Sequence, residues 1–518
     1  MTPPAPRIVG ICGAAIAGPT LALHLLSHPV LRTLFRPILF DQSPAPGPAT
    51  TDGSSPIHHQ RAGASVALLP NGIHPLLALG LGDAIRTHGH ECDDLSLWSG
   101  PSSLDRSPDA PLTHLKTMTN GFWSHEMRMG AVYFERAALQ ALLVDRVREL
   151  GGDVRWAKKA VRFEHIDPAV ASGEPRADDD DGDACRTRVG FADGTHLDVD
   201  LLVGADGGYS AVRRHILTLR DPQTAERRWL PDHMGMTGIY GISSADKMPA
   251  SHTPERPFSE SHSVWLPRGF LATGPCPGNM FRWDLILPEE AAPEARADPA
   301  DEETQAHHAK DGDGNRDGDG DGDEEPWHDA IAAGQYPRSA TVAILRSHLR
   351  LRHPFAGDFA MMLASADRII HTPLRQRVWR RDEIQWAAPD TRGAGPVVLL
   401  GDAARLMLPT SGQGTGFAIE DATVLAAALL RHCGPSAVGR DPGDLRAAVE
   451  EYAGLRVPRS EKMAAVASWV GSVGVGSTWY YRMMRYLAAK LASGADLKAK
   501  KAKDPWPMDG RFNVEETT

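Results

Sequence analysis

The stretch that most constrains the fold is residues 396–422, which reads as a short apolar strand, an acidic turn, a glycine-rich loop and a helix. Asp402 stands just past the end of the strand, where open α/β sheets bind their ligands. The helix, predicted from about Thr415, has apolar residues at helical spacing, and its positive N-terminus faces the loop. The stretch therefore predicts an α/β domain that holds a ligand between a carboxylate and the start of a helix.

The loop in this stretch suits a ligand that has hydroxyl groups and a ring able to take negative charge. Asp402 can accept hydrogen bonds from ribityl hydroxyls, and the glycines allow the backbone to approach a ring closely. A flavin is therefore the predicted ligand, although a glycine-rich turn before a core helix is the plainer alternative for this stretch alone. The predicted contacts here are Gly401, Asp402, Pro409, Gly412, Gln413, Gly414, Thr415 and Gly416.

A second strand, turn and helix are predicted at the start of the chain. Its turn has the form G-x-A-x-x-G, a dinucleotide fingerprint with alanine at the middle glycine. Asp41 ends the next apolar run, roughly 20 residues past the turn, where an acid holds an adenosine ribose. Residues 8–26 also fit a signal peptide, but Pro19 and the small turn residues favour a strand, turn and helix. The predicted pyrophosphate contacts are Gly13, Ala15, Ala17 and Gly18.

Two further segments have the same character. Residues 200–213 form an apolar strand that ends in an acid–glycine turn at Asp206 and Gly207. Residues 134–143 predict a helix in which Arg136 is set apart from the apolar face. Either segment alone is more often structural than functional, but the four segments together follow the order of a known architecture.

In these segments the chain resembles the class A FAD-dependent aromatic hydroxylases, which include para-hydroxybenzoate and salicylate hydroxylases. Fungal secondary-metabolite enzymes of this kind look most similar. The resemblance implies that residues 13–18 contact the FAD pyrophosphate and that Asp41 binds the adenosine ribose. It also implies that Arg136 contacts the ribityl-phosphate region and that Asp402 binds the ribityl chain. It also implies a wide match, from the N-terminus to about residue 459.

Other positions either match or depart from the pattern of that family. Asp206 fits a motif shared by FAD and NAD(P)H contacts, and Arg61 and Gly63 fit a segment near the flavin. The departures are Ala15 for glycine, Arg405 where histidine is usual, Gly416 where asparagine is frequent, and Ser243 where many relatives have arginine. These departures affect the substrate and the local flavin contacts more than the identity of the cofactor.

The resemblance also implies a reaction. No second G-x-G-x-x-G follows a strand, so NADH or NADPH is expected to bind transiently, reduce the flavin and leave. In this family O2 then forms a C4a-hydroperoxyflavin, which hydroxylates or epoxidises an aromatic or polyketide substrate. The segments that mark flavin halogenases and Baeyer–Villiger enzymes are missing from the sequence. The alternatives are another flavin oxidoreductase of this fold, or a non-catalytic flavin-binding scaffold. Tyr240 is a candidate for the pocket wall, and the sequence indicates no catalytic side chain.

Composition limits the partners and the compartment. A formal net charge of -11 over 518 residues argues against nucleic acid as a partner. Five cysteines without metal-ligand spacing predict reduced thiols in a cytoplasmic protein, and no metal site.

The predicted fold is α/β, with a Rossmann-like FAD-binding domain, an inserted mixed β-sheet substrate domain and C-terminal helices. The FAD domain is assigned to residues 1–89, 130–219 and 392–433, the substrate domain to 92–129 and 221–388, and the helical tail to 445–518. Strands of the substrate domain are predicted at residues 235–242, 263–267, 270–273, 280–287 and 377–384. This sheet is expected to cover the flavin ring.

Two segments have unusual composition. The acidic insert 289–325 has too little apolar surface to fold and is predicted to be disordered. Residues 313–324 within it match a calcium-loop pattern, but the flanking helices that such a loop needs are not predicted. The tail combines aromatic residues with a lysine cluster, which is typical of peripheral membrane contact. A helix packed on the FAD domain is the favoured interpretation.

Overall fold

The computed structural model describes residues 5–45, 65–100, 111–119, 123–124, 127–166, 186–249, 260–289, 325–354, 356–387, 395–435, 444–476 and 478–491. Arg61, Gly63, residues 290–324 of the acidic insert and residues 492–518 of the tail lie outside these ranges. What the sequence predicts for them stays a prediction.

The strands of the described chain are numbered in chain order. They are β1 (Arg7–Cys12), β2 (Phe35–Phe40), β3 (Ser65–Leu68), β4 (His90–Cys92), β5 (Asp94–Ser99), β6 (Thr113–Met118), β7 (Ala131–Glu135), β8 (Asp153–Arg155), β9 (Ala160–Ile166), β10 (Arg186–Phe191), β11 (His196–Val199), β12 (Leu201–Gly204), β13 (Asp232–Ser244), β14 (Glu260–Trp265), β15 (Phe270–Cys276), β16 (Met280–Pro288), β17 (Arg352–His353), β18 (Gly357–Asp358), β19 (Ala366–Val378), β20 (Gln385–Trp386), β21 (Val397–Leu399) and β22 (Arg405–Leu406).

The α-helices are numbered in the same way. They are α1 (Ala17–Ser27), α2 (Leu31–Leu34), α3 (Pro70–Ala78), α4 (Gly82–His88), α5 (Arg136–Glu149), α6 (Ala211–Arg220), α7 (Ala225–Arg228), α8 (Arg338–His348), α9 (Phe359–Ala364), α10 (Gly414–Cys433), α11 (Leu445–Val475) and α12 (Trp479–Leu491). Short 3-10 helices lie at Ala245–Lys247, His328–Ala330, Gly401–Ala403 and Pro409–Ser411.

A parallel sheet forms the centre of the first half of the fold, in the order β20-β21-β12-β1-β2-β8. Strands β21, β12, β1, β2 and β8 are parallel, and only the edge strand β20 is antiparallel. The inner strands are apolar on both faces, as burial between helices requires, and Val9 and Ile11 of β1 are fully buried. The predicted Rossmann-like α/β architecture is confirmed.

An eight-stranded sheet forms the second half, in the order β22-β19-β13-β16-β15-β14-β5-β6. Strand β16 alternates, with Phe281, Trp283 and Leu285 buried in a core shared with α8 and α9. The residues between them, Arg282 and Asp284, therefore face the opposite side of the sheet. This opposite side faces the loops of the parallel sheet.

Each of the two sheets includes a short strand from the sequence range assigned to the other domain. Strand β20 lies in the range assigned to the substrate domain, yet it pairs with β21 of the parallel sheet. Strand β22 lies in the range assigned to the FAD domain, yet it pairs with β19. The predicted strand at residues 377–384 is wrong, because β19 ends at Val378 and a charged turn follows, in which Glu383 accepts a hydrogen bond from the Arg380 N–H.

The C-terminal helix α11 lies against both halves. Tyr452 of α11 is buried and donates a hydrogen bond to the Leu399 carbonyl at the end of β21. Further along the same helix, Ala467 packs in a cluster with Met236 and Leu374 of the eight-stranded sheet. Among the described helices, none combines the length and the apolar composition needed to cross a bilayer.

Candidate active site

Three loops meet at the carboxyl edge of the parallel sheet, because β1, β12 and β21 are neighbours that run in the same direction. Gly13 follows β1 with φ +109°, and a Cβ there would lie 2.3 Å from the Ala205 carbonyl oxygen. A Cβ at Gly18 would lie 2.0 Å from the Gly13 carbonyl oxygen. Both positions therefore require glycine, since a side chain at position 13 would separate two loops and one at position 18 would open the first turn.

Asp41 lies beside the first of these loops. Its carboxylate accepts hydrogen bonds from the Ala14 and Ser43 N–H groups, each at 2.8 Å. Gln140 of α5 donates to the Ala14 carbonyl oxygen at 2.8 Å from the other side. A carboxylate can accept about four hydrogen bonds, so Asp41 fixes this loop and keeps acceptor capacity for a ligand hydroxyl.

Arg213 connects the other two loops. Its buried guanidinium donates to the Gly208 carbonyl oxygen on one side and, at 2.8 Å, to the Ala403 carbonyl oxygen on the other. The guanidinium carbon lies 3.7 Å from the centre of the Trp379 ring. Burial lowers the pKa of Arg213 to about 9, so the side chain is still charged at neutral pH. The acid–glycine turn and the 401–403 turn are thereby held in one arrangement.

Asp206 has a local structural role in this arrangement. Its carboxylate accepts hydrogen bonds from the Ser210 hydroxyl at 2.5 Å and the Val212 N–H at 3.2 Å. These groups belong to the start of α6, so Asp206 fixes the turn at the start of that helix. Gly207, next to it, faces a cavity.

The three loops form one end of a cavity of about 690 Å³, within the range of small-molecule and cofactor sites. Predicted contact residues on its wall are Ala15, Ala17, Arg136, Gly207, Gly401, Asp402, Pro409, Gly412, Gly414 and Thr415. Predicted contact residues near these loops but not on the wall are Gly13, Gly18, Asp41, Asp206, Gln413 and Gly416. We call this end the cofactor half of the cavity.

Two helices begin at the cofactor half without a side-chain cap. Neither α1 nor α10 has a side-chain hydrogen bond at its N-cap or an acidic residue in its first turn. Such helix starts attract anions, because their first N–H groups lack intrahelical partners. Gly412 and Gly414 lie beside the start of α10, and a Cβ at either would meet no atom within 4 Å. The glycines therefore leave space on the cavity side of the loop.

On the described wall of this half, the charged groups are the carboxylate of Asp402 and the guanidinium of Arg136. Burial raises the pKa of Asp402, and the charge of Arg136 opposes that shift most strongly. Such a carboxylate is suited to accept hydrogen bonds from ligand hydroxyls, which would replace the water it has lost.

A buried ionic cluster supports the Asp402 turn from behind. Asp421 of α10 accepts a hydrogen bond from the Gly401 N–H at 2.8 Å and pairs with Arg405 and, at 2.6 Å, Arg456. Glu420 pairs with Arg456 and Arg459, each at 2.7 Å. Burial raises the pKa of Glu420, but the two arginines outweigh it and bring the pKa down to about 2. Arg405, a departure from the family pattern, is thus a partner of Asp421.

The eight-stranded sheet forms the other end of the cavity, which we call the substrate half. Tyr240 lies on this wall, as predicted from its strand. Sequence reasoning missed the other polar residues here, because alternation predicted two faces for β16 without indicating which one faces the cavity. These residues are Tyr133, Ser261, His262, Ser263, Thr273, Arg282 and Asp284.

Arg282 and Asp284 form an ion pair on the substrate half. Burial lowers the pKa of Arg282, but Asp284, Tyr133 and Cys276 together outweigh burial and raise that pKa. Burial raises the pKa of Asp284, and Arg282 opposes the shift. The Arg282 guanidinium lies 5.3 Å from the centre of the Tyr133 ring, and Tyr133 shares a hydrogen bond of 2.8 Å with Ser261.

Ser243 does not replace an active-site arginine in space. Its hydroxyl donates to the Met362 carbonyl at 2.8 Å and accepts from the Trp283 indole N–H at 3.0 Å, both on the core side of the sheet. The arginine of the substrate half is Arg282, on the neighbouring strand.

Comparison with known proteins finds similar sequences among FAD-binding enzymes. A family model described as FAD binding domain matches residues 368–439. The 3-amino-4-hydroxybenzoate 2-monooxygenase of Streptomyces cremeus is 25% identical over 409 residues, or 77% of this chain and 75% of that protein. The salicylate hydroxylase of Pseudomonas putida is 26% identical over 467 residues, which cover 87% of this chain and 82% of that protein. The chain is therefore similar to FAD-dependent aromatic hydroxylases over most of its length.

The fold of this chain is similar to that of a solved structure. HpxO of Klebsiella pneumoniae, in complex with FAD and uric acid, has a TM-score of 0.59 at 18% identity, with 95% of this chain and 94% of that chain covered. FAD is the cofactor, and the prediction of an FAD-dependent monooxygenase is confirmed. The cofactor half fits such a group, because it combines two uncapped helix starts, a glycine cradle and paired charges.

Proposed function

We propose that this hydroxylase uses NADH or NADPH to reduce FAD and transfers one oxygen atom of O2 to an aromatic or polycyclic substrate. The observation that carries the proposal is the single cavity, which joins the cofactor half to the sheet of the substrate half. FAD would supply the electron transfer and the activation of oxygen. The side chains then have to bind, orient and exclude water.

We propose the following roles for the cofactor half. The start of α1, after Gly13, would receive the pyrophosphate of FAD, and Asp41 would accept a hydrogen bond from the adenosine ribose. Arg136 and Asp402 would hold the phosphate and ribityl region. The N–H groups at the start of α10, beside Gly414, would stabilise negative charge that develops on the ring.

The substrate half would exclude water from the reacting groups. Apolar side chains surround its polar groups, among them Trp265, Phe270 and Val473. Water exclusion matters in this chemistry, because a wet site releases reduced oxygen as peroxide. Trp469 lies on the wall and is 53% exposed, which places it at the opening.

The cysteines support an intracellular site of action. Cys12, Cys92, Cys276 and Cys433 are buried and free, as expected for reduced thiols.

An isotope experiment tests this function. The holoenzyme would be mixed with NADH or NADPH, a panel of phenols and ¹⁸O2, and the products analysed by mass spectrometry. We expect substrate-dependent NAD(P)H oxidation and a product heavier by one ¹⁸O atom. NAD(P)H oxidation that no panel member stimulates, or a product without ¹⁸O, would argue for another flavin oxidoreductase.

A further inference from the structure

Among the described residues of its wall, the substrate half of the cavity has one cationic side chain, Arg282, and a neighbouring carboxylate compensates its charge. Arg282 and Asp284 stand two residues apart on β16, face the same side and form an ion pair. The other charged residues on the described wall, Arg136 and Asp402, belong to the cofactor half. Burial lowers the pKa of His262 to about 4, so its imidazole is neutral near pH 7. The substrate half is therefore close to electrically neutral.

This charge balance disfavours a carboxylate ligand. A substrate carboxylate bound to Arg282 would lie near Asp284, and two like charges at short range in a largely buried site repel each other. The described wall of the substrate half offers no second cation to offset that repulsion. An aromatic acid would also lose its water shell on entry without gaining a full counter-charge.

The same residues provide donors for a neutral oxygen. The buried Nε of Arg282 has no hydrogen-bond partner among the described residues. Glycine is needed beside this atom, because a Cβ at Gly274 would lie 3.2 Å from the Arg282 Nε and 2.9 Å from the Tyr133 ring. The Ser261 hydroxyl, which is bonded to Tyr133, would be 3.4 Å from the same Cβ. A ketone or phenol oxygen can use such donors without bringing a charge.

We propose that the substrate is a neutral, largely apolar aromatic molecule with a phenol or ketone oxygen, and that the Asp284–Arg282 pair excludes aromatic carboxylates. The inference rests on the function proposed above and specifies its substrate class. It separates this enzyme from relatives whose names specify benzoates or salicylate. The apolar part of the wall suits a planar ring system, with Leu95, Leu97, Trp265, Phe270, Leu408 and Val473 around the polar groups.

Ligand binding to the holoenzyme tests the proposal without turnover. Matched probes are salicylate against salicylamide, and 4-hydroxybenzoate against its methyl ester, with Kd measured from the change in flavin absorbance. We expect each neutral probe to bind at least about tenfold more tightly than its acid. Tighter binding of either acid, or no spectral change with any neutral probe, would overturn the proposal. Because the readout is binding, the ¹⁸O experiment can fail or succeed independently.

A substitution then assigns the preference to the pair. Asp284→Asn removes the counter-charge and leaves Arg282 in place, so the preference for neutral probes should fall by about tenfold or more. Asp232→Asn is the matched control, because Asp232 pairs with Arg377 at 2.7 Å on the same sheet, outside the cavity wall. An unchanged preference in Asp284→Asn with full FAD content would overturn the proposal. If that variant does not fold, the comparison of acid and neutral probes on the wild-type enzyme still tests the proposed substrate class.

Discussion

Replacement of Arg456 by methionine tests whether the buried cluster holds the Asp402 turn in place. Arg456 is 2% exposed and bonds Asp421 at 2.6 Å and Glu420 at 2.7 Å. Removing one partner of a buried pair costs about 3 to 5 kcal/mol, because the remaining charge is uncompensated. In this variant Glu420 would still pair with Arg459, and Asp421 would still pair with Arg405. We therefore expect a loss near the low end, about 3 kcal/mol.

Urea denaturation followed by tryptophan fluorescence would measure this loss. Arg459→Met is the matched control, because Arg459 is 18% exposed on its side chain and bonds only one of the two acids, Glu420. We expect the Arg456 variant to lose clearly more stability and to release FAD faster on dilution, since Asp421 also holds the Gly401 N–H. Equal losses in the two variants would refute the reasoning.

Three further predictions concern the loop, the cluster and the insert. Gly414→Val should place its methyl groups in the cavity, slow flavin reduction in stopped-flow experiments and raise the peroxide yield. The reason is that one preorganised donor is worth about 2.7 to 4 kcal/mol. Unchanged rates of reduction and an unchanged peroxide yield would show that the loop does not face the ring. The pKa of Glu420 falls on folding from 4.5 to about 2. Its stabilisation of roughly 3 kcal/mol should be complete above pH 4.5 and be lost as the pH falls towards 2, a dependence that Glu420→Gln should lack in urea titrations. Replacing residues 298–324 by a Gly/Ser linker, with Glu325 kept for its bond to Arg346, should leave FAD content and Tm unchanged, with or without calcium; a calcium-dependent Tm in the intact chain would contradict this.

The sequence was sufficient to predict that the turns of the cofactor half lie together. Apolar runs that end at Cys12, Gly204 and Leu399 are parallel strands, and parallel neighbours bring their carboxyl ends to one edge. The turns after these strands therefore had to lie near each other. The sequence predicted that Arg213 lies on a helix, but nothing in the neighbouring residues indicated that its side chain would donate a hydrogen bond to the Ala403 carbonyl.

The substrate half was harder to predict, because its chemistry depends on which face of a strand is buried. Arg282 and Asp284 share one face of β16, yet the alternating pattern is equally consistent with solvent or cavity on that face. The expected strand at residues 377–384 failed for a related reason. Trp379 and Ile384 are buried, but they pack from a charged turn and not from a strand.

The dissociation constant of FAD in Asp402→Asn is the most direct test, because we propose that the ribityl chain binds to this carboxylate. The substitution keeps the size of the side chain and removes its charge. A hydrogen bond to a charged group is worth about 1.5 to 3 kcal/mol, so Kd should rise by about one to two orders of magnitude. Fluorescence titration of the apoprotein with FAD measures it, with the Tm of the apoprotein as the control for folding. A Kd within twofold of the wild-type value in a folded variant would contradict the account.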